Sequence, residues 1–213
     1  MAVNFLRDGE RDASTHVLLA HGAGAAMDTP FMTGFAQGLA ARGFAVARFE
    51  FAYMAGRRHG GSKRPPPRVE RLIEEYTQAI GALGSTGRLI IGGKSLGGRV
   101  ASLIAQDEFE AKRATGLLCL GYPFHPPGRP EKLRTAHLMD LTVPVLIAQG
   151  TRDPFGGPTE VPGYGLPQSV TVHWADDGDH SLAPRKKTGL SAEQNRDAVC
   201  DAIAAWAEHL KTA

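Results

Sequence analysis

Short apolar segments alternate with longer amphipathic segments from residue 16 to the end of the chain. A strand that is apolar along its whole length is typical of a sheet covered on both faces. Strands that alternate with helices predict parallel strand order. We therefore expect a doubly wound, mostly parallel α/β sheet with helices on both faces. The predicted strands are His16–His21, Phe44–Phe51, Arg88–Gly92, Gly116–Gly121, Pro144–Gly150 and Val170–Ala175.

Capping residues and helical spacing predict the main helices between these strands. The first begins at Thr29-Pro30, a capping residue followed by proline, and ends by Gly43. Another directly follows Ser95, and the last begins at Ser191, where Gln194 completes a capping box. A further helix carries an apolar stripe at Val69, Leu72, Ile73, Tyr76, Ile80 and Leu83. No internal repeat or linker interrupts the pattern, so residues 1–213 are expected to form one domain.

Two connections between predicted strands are long. Residues 57–67 are rich in glycine, proline and basic residues, so we expect them to be irregular. Between Gly121 and Pro144 the sequence predicts only a proline-rich loop and one helix, which contains Leu133, His137 and Leu138. Neither connection is large enough to suggest a cap domain.

The strand at Arg88–Gly92 runs directly into Gly93-Lys94-Ser95-Leu96-Gly97. A strand followed by G-x-S-x-G and a helix is the sequence form of a nucleophile elbow, in which a tight turn exposes the serine. Small residues two positions before and after the serine let neighbouring backbone approach. The pattern predicts Ser95 as a nucleophile, with Lys94 contributing only its backbone.

Two further residues have the chemistry that an activated serine needs. Asp153 follows the strand Pro144–Gly150, and His180 follows the strand Val170–Ala175. Because the carboxyl ends of parallel strands meet at one edge of a sheet, these side chains are expected near Ser95. A neutral imidazole accepts the serine proton, and a carboxylate orients the imidazole. We therefore predict a triad of Ser95, His180 and Asp153.

A stretch of small residues follows the first predicted strand. The sequence His21-Gly22-Ala23-Gly24-Ala25 has the form of an oxyanion loop. The predicted oxyanion donors are the backbone N–H groups of Leu96 and of Ala23 or Gly24.

The segments HGAG, GKSLGG, GTRDP and GDHSL, in this order, resemble those of small α/β-hydrolases without a lid, related to the dienelactone hydrolase and carboxylesterase branch. The resemblance covers His16 to Leu210. It implies the α/β-hydrolase fold without a cap domain, and hydrolysis of an ester or thioester through an acyl-serine intermediate. Dienelactone hydrolases use cysteine where this chain has Ser95, so their substrate is not implied. Few residues precede His16, so the N-terminal strands usual in the family are expected to be shortened.

Composition limits the classes of partner. The net charge is +2, with 42% apolar and 22% charged residues, which gives no reason to expect nucleic acid or a membrane as partner. Cys119 and Cys200 are expected to be buried free thiols, and no signal peptide or membrane-spanning run is visible, so we expect a cytoplasmic protein. The expected partner is a small-molecule acyl substrate, with no cofactor and no metal. The sequence leaves the oligomeric state open.

The basic residues of the 57–67 segment follow a predicted strand on the side of the expected active site. We hypothesise that they favour anionic acyl substrates by electrostatic steering. Arg57 and Arg58 are candidate substrate-binding residues, as is His125, which lies on a loop past another strand. The alternative interpretation of His125 is a structural one. The other basic residues of the segment are His59, Lys63 and Arg64.

Two other functions stay open at this point. A dinucleotide-binding oxidoreductase would use the glycines of Gly22–Met27 and the acid Glu50, although Met27 occupies the place of the third glycine. A catalytically silent hydrolase fold that serves as a binding module is the second alternative, since a fold does not fix a function.

Overall fold

A computed structural model describes residues 3–58, 60–62, 65–85 and 87–210. Their strands form one seven-stranded sheet in the order β1-β3-β2-β4-β5-β6-β7. The strands are β1 (Phe5–Asp8), β2 (Thr15–Ala20), β3 (Ala45–Phe49), β4 (Arg88–Lys94), β5 (Gly116–Leu120), β6 (Val145–Gly150) and β7 (Val170–Ala175). The helices are α1 (Pro30–Ala40), α2 (Ala52–Arg58), α3 (Val69–Leu83), α4 (Leu96–Glu110) and α5 (Ala192–Glu208). Short 3₁₀ turns lie at Ala136–Leu138, Val161–Tyr164 and Lys186–Thr188.

The predicted doubly wound parallel sheet is confirmed. All six predicted strands are present, and β7 has the predicted bounds. Strands β2 to β7 pair in parallel, whereas β1 pairs antiparallel with β3, with Phe5 opposite Phe49. Within the described residues, β1 is the one antiparallel strand, as expected for a shortened N-terminal part of the sheet.

Helices cover both faces of this sheet, because neighbouring residues of a buried strand point to opposite sides. In β4, Leu89 and Ile91 pack in one core cluster with apolar residues of α3 and α4. Ile90 packs in the other cluster with residues of α1 and α5. Every residue of β3, β5 and β6 is buried, which explains their continuous apolar character.

Tyr76 of α3 connects that helix to the centre of the sheet. Its hydroxyl oxygen accepts the backbone N–H of Gly92 at 2.7 Å. The same hydroxyl lies 2.9 Å from the carbonyl oxygen of Leu18 and 2.6 Å from that of Gly92. Burial raises the pKa of Tyr76, so the hydroxyl keeps its proton and can donate to one of these carbonyls. Tyr76 thereby holds β4 in place at Gly92, shortly before the turn between β4 and α4.

The structure corrects the first two residues of the segment 57–67, whereas its other described residues, 60–62 and 65–67, are irregular as expected. Arg57 and Arg58 end the helix α2 rather than lying in an irregular loop. The first turn of α2 receives a tertiary cap, because the Ala52 N–H donates to Glu75 Oε2 of α3 at 2.7 Å. A cap from a distant helix leaves no local signal in the sequence.

The predicted helix between Gly121 and Pro144 is also wrong. That connection contains only the 3₁₀ turn Ala136–Leu138. The Arg134 N–H donates to the Phe124 carbonyl oxygen at 2.7 Å, and Leu133 is exposed, so the apolar residues do not share one helical face. The absence of a cap domain holds for the described residues. Among them, no helix has both the length and the apolar character needed to cross a membrane.

Candidate active site

The turn between β4 and α4 places Ser95 in a strained backbone conformation. Its φ is 49° and its ψ is −109°, a region that residues with side chains rarely adopt. Such strain persists where surrounding structure enforces it, and it is common at functional sites. The Ser95 N–H donates to the Leu120 carbonyl oxygen at 3.1 Å, which holds the turn against β5.

Close backbone contacts explain the small residues around the serine. A Cβ atom on Gly93 would lie 2.3 Å from the carbonyl oxygen of Ala20, and one on Gly97 would lie 2.4 Å from the same atom. Both distances are far shorter than van der Waals contact. The two glycines therefore allow β2 to approach the turn from both sides of Ser95.

The structure brings the three predicted catalytic side chains together. Ser95 Oγ lies 2.9 Å from His180 Nε2, and His180 Nδ1 lies 2.8 Å from Asp153 Oδ2. Because an ionised carboxylate only accepts hydrogen bonds, the Nδ1 of His180 carries the proton in this arrangement. The Nε2 atom is then free to accept the proton of the serine hydroxyl. The Asp153 side chain is fully buried, whereas that of His180 is 23% exposed, so the chain of contacts runs from the interior to the surface.

Gln149 orients the carboxylate of Asp153. The sequence arguments did not identify this residue. Its side-chain amide donates to Asp153 Oδ2 at 2.9 Å, and its carbonyl oxygen accepts the Tyr122 N–H at 2.7 Å. The Phe155 N–H donates to Asp153 Oδ1 at 2.9 Å. Gln149 is completely buried, and a polar residue inside the otherwise apolar strand Val145–Gly150 is the signal that could have revealed it.

Lys94 also contacts the triad, contrary to the expectation that only its backbone takes part. Its ammonium group donates to the carbonyl oxygen of His180. Nζ also lies 5.2 Å from the centre of the Phe31 ring. Burial lowers the pKa of Lys94 to about 8, and the negative charges of Asp153 and Asp179 oppose this shift. Lys94 thus places a positive charge next to the loop that carries His180. Because its pKa is lowered, Lys94 loses this charge at a lower pH than an ordinary lysine does.

The loop after β2 lies beside Ser95, as the oxyanion-loop pattern predicts. A Cβ on Gly22 would be 3.9 Å from Ser95 Cβ. The carbonyl oxygen of Gly22 lies 2.6 Å from His21 Nδ1, and that of Ala23 accepts the Tyr53 hydroxyl at 3.0 Å. In a trans peptide, the N–H points away from the carbonyl of the same unit. The N–H groups of Ala23 and Gly24 are therefore directed away from His21 and Tyr53.

His21 is a structural member of this loop. It is completely buried, and its Nε2 accepts the Phe51 N–H at 3.2 Å. Burial lowers its pKa, so the ring is neutral with its proton on Nδ1, facing Gly22. The third predicted oxyanion donor, Leu96, is the first residue of α4, where an N–H has no carbonyl partner within the helix.

Arg58 lies between two carboxylates rather than standing as an isolated cation. It forms ion pairs with Glu50 at 2.7 Å and with Asp28 at 2.8 Å. Glu50 also accepts the Met27 N–H at 3.1 Å. The acid that the dinucleotide hypothesis assigned to a ribose is therefore engaged within the protein, and α1 begins only at Pro30.

The other two candidate substrate-binding residues, Arg57 and His125, make contacts of different kinds. The Arg57 guanidinium lies 5.6 Å from the centre of the Tyr53 ring. His125 is buried, with Nδ1 2.9 Å from the Pro126 carbonyl oxygen and Nε2 3.2 Å from Glu160 Oε2. These contacts favour the interpretation of His125 as a structural residue. The other basic residues of the segment, His59, Lys63 and Arg64, lie outside the described residues.

In the acidic turn before His180, the carboxylate of Asp177 forms ion pairs with arginines. Asp177 pairs with Arg185 and, at 3.1 Å, with Arg152. The hydrogen bonds from Arg185 lower the pKa of Asp177 to about 2. In the part of the chain that the structure describes, no three His, Cys, Asp or Glu side chains come together in a way that could hold a metal ion.

Solved structures share this architecture along nearly the whole chain. The esterase domain of a Rhodothermus marinus protein has a TM-score of 0.67 at 15% identity, covering 99% of both chains. A serine hydrolase without a lid from Xanthomonas campestris has a TM-score of 0.66 at 20% identity, covering 96% of this chain and 89% of that one. Dienelactone hydrolase from Anabaena variabilis has a TM-score of 0.70 at 17% identity, with 98% and 92% covered. At these identities the likeness shows a shared fold.

The sequence itself gives the family. Residues 13–208 match the family described as alpha/beta hydrolase domain, a range that includes β2 to α5 and the whole candidate site. The resemblance drawn from the four motifs is thereby confirmed, and the chain belongs to the alpha/beta hydrolase domain family of enzymes.

Proposed function

We propose that this hydrolase cleaves a carboxylic ester or thioester of a small molecule through an acyl-serine intermediate. The observation that carries the proposal is the continuous chain of contacts from Ser95 Oγ to His180 Nε2 at 2.9 Å and from His180 Nδ1 to Asp153 Oδ2 at 2.8 Å. This is the arrangement that a serine needs to become a nucleophile at neutral pH.

In the first half of the reaction, His180 Nε2 takes the hydroxyl proton while Ser95 Oγ attacks the carbonyl carbon. Asp153 stabilises the imidazolium that forms. When the tetrahedral intermediate collapses, the imidazolium gives its Nε2 proton to the leaving alkoxide or thiolate. The alcohol or thiol departs, and the acyl group stays on Ser95.

In the second half, water replaces the alcohol. His180 Nε2 takes a proton from water, and the resulting hydroxide attacks the acyl carbon. Ser95 Oγ then leaves and recovers the proton from Nε2. The products are a carboxylic acid and the free enzyme, so atoms and protons balance over the cycle.

The oxyanion of both tetrahedral intermediates would be held by backbone N–H groups of Leu96 and of Ala23 or Gly24. The contacts of His21 and Tyr53 with the loop carbonyls support this assignment, because they fix the direction of the opposite N–H groups. Preorganised donors of this kind stabilise developing charge without reorganisation, and loss of one typically costs about 10²–10³ in rate.

The exposed position of the site favours accessible acyl groups. Ala23 and Gly24 are exposed, and His180 is partly exposed. One solved structure with this fold is described as Est1E of Butyrivibrio proteoclasticus with bound ferulic acid, at 14% identity. Because the site of this chain is open, we propose a small acyl substrate. We also propose that the protein is cytoplasmic.

A fluorophosphonate probe tests the proposal directly, because it reacts only with an activated serine. We expect labelling of the wild type, loss of labelling in Ser95→Ala, and full labelling in Ser14→Ala, which changes an exposed serine directly before β2. A series of aryl esters and acyl-thioesters of graded chain length then identifies the preferred acyl group. A folded wild-type protein that is neither labelled nor active would favour the silent binding module and refute the proposal.

A further inference from the structure

An aromatic ring lies against the imidazole of His180. The centres of the Phe155 and His180 rings are 4.2 Å apart, and the planes of the two rings make an angle of 30°. The rings are therefore in contact over part of their faces, rather than edge to face. Both residues are partly exposed, so this contact lies near the protein surface.

The backbone of Phe155 is held by the same network that orients Asp153. Its N–H donates to Asp153 Oδ1 at 2.9 Å, and its carbonyl oxygen accepts the His125 N–H at 3.2 Å. The next residue, Gly156, donates its N–H to the Asp153 carbonyl oxygen at 3.2 Å and accepts the Gln149 side-chain amide at 3.1 Å. One short segment thus fixes both the carboxylate that binds the imidazole and the aromatic ring that covers its face.

The hydrogen bonds of the triad leave one motion of the imidazole open. Nδ1 of His180 lies 2.8 Å from Asp153 Oδ2, and Nε2 lies 2.9 Å from Ser95 Oγ. These two contacts hold opposite corners of the ring, so they permit rotation about the line that joins the corners. A contact on the face of the ring opposes this rotation, and Phe155 supplies that contact.

Phe155 takes no part in the apolar core. The described residues form two core clusters, and Phe155 belongs neither to them nor to the partly buried side chains packed against them. Phe124, in contrast, is completely buried in one of these clusters. Within the described part of the chain, the one aromatic partner of Phe155 is His180. The position of this large apolar side chain is therefore not explained by core packing.

The contact between the two rings changes in strength during the proposed reaction, because His180 becomes charged when it takes the serine proton. The face of an aromatic ring is negative, and it attracts a cation that lies within about 6 Å of the ring centre. Phe155 therefore stabilises the imidazolium more than the neutral imidazole. An interaction that is stronger in the transition state than in the ground state raises kcat.

We propose that Phe155 is a positioning residue of the catalytic centre, which holds the plane of the His180 ring and stabilises the imidazolium through its π face. The inference deepens the proposed hydrolase mechanism and rests on it, since that mechanism is what makes His180 a cation. It assigns Phe155 to turnover rather than to substrate recognition. Substitution should therefore change kcat and leave KM nearly constant.

Fluorinated phenylalanines at position 155 test the electrostatic part of the proposal, because fluorine withdraws electron density from the ring face with little change in shape. From phenylalanine through the 4-fluoro, 3,5-difluoro and 3,4,5-trifluoro forms, kcat on an aryl ester should fall stepwise, by about 3-fold to 30-fold in total. KM should change by less than about 2-fold. Phe155→Leu should lose at least as much kcat as the trifluoro form, and Phe155→Tyr should keep most of it, because tyrosine also has a negative ring face.

Phe109 is the matched control. It is partly buried near the end of α4, about 20 Å along the helix from Leu96. The trifluoro form at position 109 should leave kcat unchanged, and a fall as large as that at position 155 would overturn the proposal. Urea denaturation should show Phe155→Leu to be nearly as stable as the wild type, since Phe155 lies outside both core clusters.

NMR separates this proposal from the proposed catalysis. The Cε1–H signal of His180, assigned by its loss in His180→Gln, should lie upfield in the wild type relative to Phe155→Leu, because a stacked aromatic ring shields it. This result does not depend on esterase activity. A signal that does not move, or an active enzyme whose kcat is constant along the fluorine series, would overturn the role of Phe155. A shifted signal in a protein with neither activity nor fluorophosphonate labelling would refute the proposed function and, through it, the role in turnover, although the ring contact would stand.

Discussion

Replacement of Lys94 by methionine should change stability and activity in opposite directions. The lysine side chain lies beneath the His180 loop, beside the Phe31 ring, and donates to the His180 carbonyl oxygen. Methionine has a similar length and no charge, and its sulfur packs well against an aromatic ring. The substitution therefore removes the buried charge while it keeps most of the packing.

The expected effect on stability follows from the pKa of Lys94. Its ordinary value of 10.5 falls to about 8 in the folded protein because burial penalises the charged form. Between pH 8 and pH 10.5 the unfolded chain binds more protons than the folded one, so wild-type stability rises with pH in this window. The shift corresponds to about 3 kcal/mol that is missing below pH 8. Loss of the hydrogen bond from the charged amine to His180 offsets about 1.5–3 kcal/mol. We expect Lys94→Met to be up to about 1.5 kcal/mol more stable than the wild type at pH 7, with the difference shrinking toward pH 10.5.

The activity of Lys94→Met should nevertheless fall, because the loop that carries His180 loses a charged anchor. We expect kcat to drop about 10-fold with a smaller change in KM, since a charged hydrogen bond is worth about 1.5–3 kcal/mol and only part of it is felt by the imidazole. Wild-type kcat should decline above about pH 8, as the amine loses its proton, and this decline should be absent in Lys94→Met.

Urea denaturation at pH 7 and pH 10 measures the stability, and the pH profile of kcat on an aryl ester measures the anchoring. Lys187→Met, at an exposed lysine, is the control and should alter neither quantity. The reasoning would be refuted if Lys94→Met were less stable at pH 7 with an unchanged kcat. An alkaline decline that persists in Lys94→Met would equally refute it.

Three further substitutions test other parts of the structure. Asp153→Asn should lower kcat about 10⁴-fold by favouring the wrong tautomer of the catalytic histidine, as measured with a chromogenic ester, and a smaller loss than about 10² would argue against the triad. Tyr53→Phe removes the hydroxyl that holds the Ala23 carbonyl at 3.0 Å, so kcat should fall about 3-fold to 10-fold while urea stability changes little; an unchanged kcat would separate this hydroxyl from catalysis. Gly92→Ala would place a Cβ 1.9 Å from the Leu118 carbonyl oxygen and should destabilise the fold by several kcal/mol, about 3 or more. Its matched control, Gly81→Ala in α3, meets no atom within 4 Å and should raise the unfolding free energy by about 0.5–1 kcal/mol.

The order of the elements could be predicted because its signals are local. A continuous apolar run such as Val145–Gly150 marks a strand buried on both faces, and its C-terminal end locates Asp153 near the edge of the sheet. The capping box at Ser191 and Gln194 is present as predicted, with both of its hydrogen bonds formed. These patterns need no knowledge of distant segments.

The two errors in the predicted secondary structure arise where distant segments decide local structure. Helix α2 is capped by Glu75 from α3, and Leu133 does not enter a helix because the neighbouring Arg134 N–H binds the Phe124 carbonyl oxygen. Neither contact can be read from a window of a few residues. Backbone groups find partners wherever the tertiary structure supplies them.

The sequence by itself determined the sheet, the serine turn and the order in which Ser95, Asp153 and His180 follow their strands. Only the tertiary structure decided what surrounds them. Lys94 looks like a free position in the elbow motif, yet its ammonium group reaches His180, 86 residues away. It has room there because Gly121 lacks a side chain, since a Cβ at Gly121 would lie 2.6 Å from Lys94 Nζ. In the same way, Arg58 forms ion pairs with Asp28 and Glu50, which lie on two other segments of the chain. The direction of a side chain and the balance of its charge depend on segments that are far apart in sequence and adjacent only after folding.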